Sequence, residues 1–277
     1  MHGQSNPTHS ISRPIAVAYG TLAVVIFAIV AGAVLGAHAL LRANTIAVGD
    51  LRTGSVSVDS EGASAVDAEI VPAFGEMTLS GGAQSLLELD YVTNILEDPG
   101  VTYHVDDGQG ILRAEPTMTQ GIPNARRLSE YRNEWEMRLD ASTPISLSIS
   151  MGAGKGDLDL RGLALTGFQL DTGAGEALVD MRGGWSRSFD TTINAGTGKV
   201  TVLLPDQVGT RLEVNKAIGA IYLSGLEKGQ DFYTNAAYGT TDVTLDMEIN
   251  VAVGEVDLVV LDADTEYVEE QVFEKGQ

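Results

Sequence analysis

The 277-residue chain contains no cysteine. Disulfides, iron–sulfur clusters, thiolate zinc sites and a lipid-modified N-terminal cysteine are thereby excluded. Histidine is scarce: of four in the chain, only His104 lies beyond residue 41. A zinc site of clustered histidines is excluded by count. A Ser-His-Asp or Cys-His site would have to use His104, which sits in "VTYHVDDG" with no nucleophile motif beside it. No catalytic residue is assigned, and neither a metal nor a cofactor is expected.

Acids are missing from residues 1–49, where Arg13 and Arg42 are the only fixed cations. Taking those two from the 17 basic residues leaves 15 against all 38 acids, a net charge of −23 from Asp50 onward. Such a surface repels phosphate backbones, so nucleic acid is not an expected partner.

What the N-terminus does hold is one long apolar run. "PIAVAYGTLAVVIFAIVAGAVLGAHALL", residues 14–41, has 28 residues and no fixed charge. A bilayer core needs roughly 20 apolar residues as a helix, so the run predicts a transmembrane helix. "AHA" at 37–39 resembles a signal-peptidase site, but the run is much longer than the 7–15 apolar residues usual in a signal peptide. Gly32 and Gly36, followed by Ala33 and Ala37, give a small-residue face on which a helix can pack against a second copy or another membrane protein. Arg13 and Arg42 flank the run symmetrically. The short acid-free tail 1–13 inside and the large acidic region outside is the expected topology, which makes this a single-pass cell-membrane protein with an extracytoplasmic domain.

Glycines recur beyond residue 141. Gly154, Gly175, Gly198, Gly219, Gly239 and Gly254 are separated by 21, 23, 21, 20 and 15 residues. Two, four and six places after each, residues such as Leu158, Leu160, Val179, Val202, Leu223 and Leu258 are mostly apolar, while the places between are mostly polar. Seven and five places before each lie further residues that are mostly apolar, for example Leu147 and Ile149. Period-2 alternation on both sides of a glycine predicts strand, corner, strand. Units of about 20 residues of this kind predict a stacked β-solenoid, each coil pairing with the next. Six coils at roughly 4.8 Å each give a rod on the order of 29 Å.

"MGAGKGDLDL", residues 151–160, imitates a phosphate loop. A Walker A sequence needs Gly where Ile149 stands and Ser or Thr where Gly156 stands. "GTGKV" likewise has Ile193 and Val200 in those places, and no helical pattern follows either stretch. No nucleotide is expected; the glycines are structural corners.

The rest divides as follows. Residues 42–67 are Ser/Gly/Ala-rich and read as a linker. Residues 68–140 read as a β cap, 141–262 as the solenoid repeats and 263–277 as an acidic tail. The fold class is all-β after the single helix, parallel β-helix-like with a β cap. Stacked carboxylates, Asp157 near Asp180 and Asp242 near Asp257, are candidate calcium ligands, although no Gly-Gly-x-Gly-x-Asp repeat is present. Arg113, Arg126, Arg127, Arg132 and Arg138 fall within 26 positions, interleaved with Tyr131 and Trp135. Arginine with aromatics is the composition of a recognition surface, so Arg126, Arg127, Tyr131, Arg132 and Trp135 are candidate partner-binding residues.

"FGEMTLSGGAQSLLELDY", "NEWEMRLDASTPISLSISMGAGKGDLDLRGLAL" and "TGAGEALVDM" resemble the bacterial toast-rack proteins and the C-terminal domain of LiaF-like, cell-wall-active-antibiotic-response proteins, over roughly residues 70–260. The resemblance implies a non-enzymatic, adhesin-like β-solenoid tethered to the bacterial membrane and carries over no catalytic or binding residue. The leading expectation is an envelope interaction protein or accessory subunit of a membrane complex. The alternatives are a regulator of a membrane sensor kinase in the envelope-stress response and a carbohydrate-binding or carbohydrate-active β-helix.

Overall fold

The computed structural model describes residues 48–95, 97–118 and 131–268. The apolar run 14–41, with Gly32, Ala33, Gly36 and Ala37, lies outside them. Among the described residues no helix is long and apolar enough to cross a membrane. The described chain is all β.

Six long strands form the body: β2 (Ala65–Gly81), β7 (Ile145–Asp159), β8 (Leu165–Asp180), β9 (Phe189–Pro205), β10 (Gly209–Ser224) and β13 (Thr244–Leu261). They lie parallel in the order β2-β7-β8-β9-β13-β10. Each runs through a glycine. Gly75, Gly154, Gly175, Gly198, Gly254 and Gly219 sit opposite one another in one column, with φ between +116° and +156°.

The column has a geometric function. In β7 the buried side chains before the corner are Ile145, Leu147, Ile149 and Met151; after it they are Gly156 and Leu158. The inward parity changes from odd to even at Gly154. An uninterrupted strand keeps one parity, so without the corner one arm would turn its apolar face to water. Close approach fixes the residue type as well. A Cβ on Gly175 would overlap the Gly154 carbonyl oxygen and lie 2.9 Å from its carbonyl carbon. Only glycine lets neighbouring coils pack this tightly at a positive φ.

Two sequence expectations are corrected here. Gly239 is not in the column. It lies in a turn with φ 75° and open space where its Cβ would be. A strand with two arms needs the 18 residues of β13, which the 15-residue interval between Gly239 and Gly254 cannot supply beside another unit. The sixth place is taken by Gly75 in β2, within the stretch read as cap, where the sequence carries a weaker form of the same unit: Met77 and Leu79, two and four places after it, are buried. Second, the coils are not stacked in chain order, because β13 inserts between β9 and β10.

The region expected to be a linker contains β1 (Val48–Val58), an antiparallel partner of β3 (Leu87–Ile95). Its alternating Val56 and Val58 pack on the core. At the β2 end the stack is closed twice. β5 (Gln109–Met118), paired with β4 (Glu97–Asp106), lines the arm of β2 before its corner, and β6 (Asn133–Leu139) lines the arm after it, followed by β3 and β1. At the β10 end, short β12 (Tyr233–Thr234) pairs only with Arg211 and Leu212, and β11 (Glu227–Lys228) pairs with β12.

Candidate interaction surfaces

The first residue after each corner forms a ladder across the stack: Glu76, Lys155, Glu176, Lys199, Glu255 and Ala220. The sign alternates over five consecutive coils. Lys155 Nζ stands 3.2 Å from Glu176, and Lys199 Nζ stands 2.7 Å from both Glu255 and Asp257. Asp257 is 1% exposed, so this rung of the ladder is a buried ion pair. The pairing also accounts for the strand order. With β10 beside β9, Lys199 would face Ala220 and Tyr222 in place of Glu255 and Asp257. Four positions before the corner runs a polar counterpart. Asn194 donates to Asp171, Asn250 to Asn194 and Asn215 to Asn250, at 2.7, 3.0 and 3.0 Å.

A second charged cluster holds the chain after β13. Arg182, buried, makes a bidentate pair with Asp180, and Arg161 pairs with Asp159 at 2.8 Å. Arg161 also donates to the Ala263 carbonyl and Arg182 to the Asp262 and Thr265 carbonyls. The strap so held brings Tyr267 to a cleft of about 440 Å³ that is also lined by Met77, Lys155, Glu176 and Lys199. On the same outward face the apolar Leu203 and Val259 are buried, as is Asp257.

The carboxylates considered as calcium ligands are not ladder neighbours. Asp157 lies opposite Leu178, and Asp257 opposite Thr201 and Tyr222. Asp180 lies opposite Asp159 with the two arginines between. A hydrogen bond from Arg161 holds the Asp159 carboxyl below the ordinary range, against the opposing effect of burial. Burial, with Asp159 and Asp180 nearby, pushes the Asp157 carboxyl up. Among the described residues no group of three or more metal-ligating side chains converges.

Of the candidate partner-binding residues, Arg126 and Arg127 lie outside the described residues. Trp135 is 2% exposed and donates to Asn133 Oδ1 at 3.1 Å. It is a core residue of the cap, unavailable to a partner. Tyr131 stacks on Phe74, ring centres 4.7 Å apart, and burial pushes its hydroxyl pKa well up. Arg132 is half exposed and pairs with Glu134 at 2.5 Å. Tyr131 and Asn133 therefore close the first corner, where the Asn133 carboxamide donates to the Phe74 carbonyl.

Sequence reading missed the other end. Ile218 is 67% exposed, Tyr222 44% and the neighbouring Val253 43%. Ile221 and Leu223, on the inward row, are only partly buried, whereas Leu158, Val179, Val202 and Leu258 on that row are fully buried. Lys216 occupies the inward row filled elsewhere by Met151 and Val251, and its Nζ donates to the Gly219 carbonyl at 2.6 Å. The signal was present: this coil alone pairs a lysine on the inward row with an isoleucine at the corner.

Residues 47–203 match the family described as the N-terminal domain of toast_rack, DUF2154. The chain belongs to the toast-rack family. Within this toast-rack chain the matched segment runs from the start of β1 almost to the end of β9, so β10 and β13 lie beyond it. A solved structure from Clostridium sporogenes, described as a candidate cell adhesion protein, is 24% identical, with a TM-score of 0.69 over 76% of this chain and 100% of that one. A candidate adhesin from Bacteroides fragilis is 11% identical over 76% of this chain and 96% of its own, with a TM-score of 0.23. No curated protein matches the chain.

Proposed function

We propose that this toast-rack protein is a membrane-anchored, extracytoplasmic binding module, an envelope interaction protein or the accessory subunit of a membrane complex. One observation carries the reading. The charged and amide groups that converge on the stack are used against one another in register, as in Lys199 with Glu255 and Asp257, so they hold a rigid surface. The family and the likeness to a candidate adhesion protein of the same fold support a non-enzymatic role at the envelope. The uncharged run 14–41 supplies the anchor, and Gly32, Ala33, Gly36 and Ala37 its packing face.

The test is affinity purification of the tagged full chain from gently solubilised bacterial membranes, with protease accessibility measured on intact cells. A stoichiometric second envelope protein and cleavage of the acidic domain from outside are expected. A chain that never co-purifies with another protein, or an acidic domain shielded in the cytoplasm, would sink the proposal.

A further inference from the structure

We propose that the β10 end of the stack is a self-association surface, on which a second copy of this chain pairs antiparallel with the Ala220–Leu226 edge to give a closed two-fold dimer. This goes beyond the anchoring role above, because the surface lies among the described residues and needs no membrane segment.

The asymmetry of the stack is the first reason. The core is closed at the β2 end by β5 and β6, while at the β10 end Ile221 and Leu223 stay partly open and no other described strand pairs with residues 213–224 on that side. A terminal unit normally has to cover its outer face, and a free edge of this length is a template for another chain. One open end per molecule permits an isologous pair but no fibre.

Charge selects the occupant. Residues 214–226, "VNKAIGAIYLSGL", contain no carboxylate in a chain whose net charge is −21. Two copies that meet here bring no acid into contact, whereas any approach through the acid-bearing faces opposes like charges. Lys216 sets the limits of the contact. Its bond to the Gly219 carbonyl fills the corner, and a lysine on the inward row bars another coil from stacking there, so pairing is confined to the arm after the corner.

The absence of cysteine makes the test direct. Single cysteines at Ala220, Tyr222 and Ser224, which share the outward face near the two-fold, are introduced into the detergent-solubilised full chain, with exposed Gln169→Cys on β8 as control. A disulfide-linked dimer is expected from at least one of the three and from none of the control. Light scattering on the wild type should show the dimer fraction rising from about 0.01 M to about 1 M salt, as the screening length falls from roughly 30 Å to about 3 Å. The double variant Ala220→Asp/Ser224→Asp, which leaves the core untouched, should weaken the dimer at least roughly tenfold, the effect of about 1.4 kcal/mol.

Free alkylation of all three cysteines in a monomeric chain overturns the proposal. So does protection from alkylation without cross-linking, which would mean a different occupant. A dimer that survives the double variant but is lost in Gly32→Leu/Gly36→Leu assigns association to the apolar run and overturns it equally. Co-purification of a second protein, the readout for the anchored role, is independent of all of these.

Discussion

Gly175→Ala tests the corner column at its centre. The residue has φ +134°, and its Cβ would overlap the Gly154 carbonyl oxygen. Holding a non-glycine residue in such a region costs about 1–3 kcal/mol. The overlap is relieved only if β7 and β8 separate locally, and losing two ladder hydrogen bonds at roughly 1 kcal/mol each adds about 2. The expected total is about 3–5 kcal/mol, a large part of the 5–15 kcal/mol typical of a folded domain. For a domain of this size that lowers Tm by roughly 6–20 °C. Circular dichroism melts of the purified chain would measure it. Two controls define the comparison. Gly239→Ala, at φ 75° with open space around it, should cost only about 1–2 kcal/mol. Gly184→Ala, unconstrained in both respects, should stay within about 0.5 kcal/mol. If Gly175→Ala melts within a degree or two of wild type, or Gly239→Ala costs as much, the column does not hold the coils together and the reasoning fails.

Lys199→Met should destabilise by about 2–4 kcal/mol in urea unfolding, since it strips an ion-pair partner from buried Asp257. Lys155→Met, whose pair with Glu176 is well exposed, should change stability by less than about 1 kcal/mol; equal effects would show that burial does not set the value of the ladder. Trp135→Ala should cost about 3–5 kcal/mol as a core truncation, and unchanged stability with lost partner binding would return it to a recognition role. The Asp159 carboxyl is held below its ordinary range, so its pair with Arg161 stabilises the fold above the ordinary carboxylate pKa, and that contribution is lost as pH falls through the lowered one. Asp157, shifted upward, acts in the opposite sense and is relieved by protonation. Asp159→Asn should therefore flatten the acid limb of Tm against pH and Asp157→Asn should steepen it; the reverse pattern would contradict both assignments.

Several features were legible because they are local. Alternation around Gly154, Gly175, Gly198, Gly219 and Gly254 specifies two arms and a corner, since strand periodicity is two and only glycine tolerates the corner's φ and close approach. The same sequence dismissed a phosphate site at "MGAGKGDLDL", and Lys155 is a rung of the charge ladder. Spacing misled at Gly239, because a glycine in a crossover turn and a glycine in a corner look alike in one dimension.

The sequence by itself determined an all-β repeat, its inward residues and its acidic character, since each depends on neighbours a few positions away. Only the tertiary structure decided which strands are adjacent. Placing β13 between β9 and β10 brings Lys199 to Glu255 and Asp257, 56 and 58 residues away in the chain. The tertiary structure likewise decided that Trp135 is buried in the cap and that Ile218 and Tyr222 stand at the β10 end. Burial and pairing across such separations depend on which coil stops last, and no period in the chain records that.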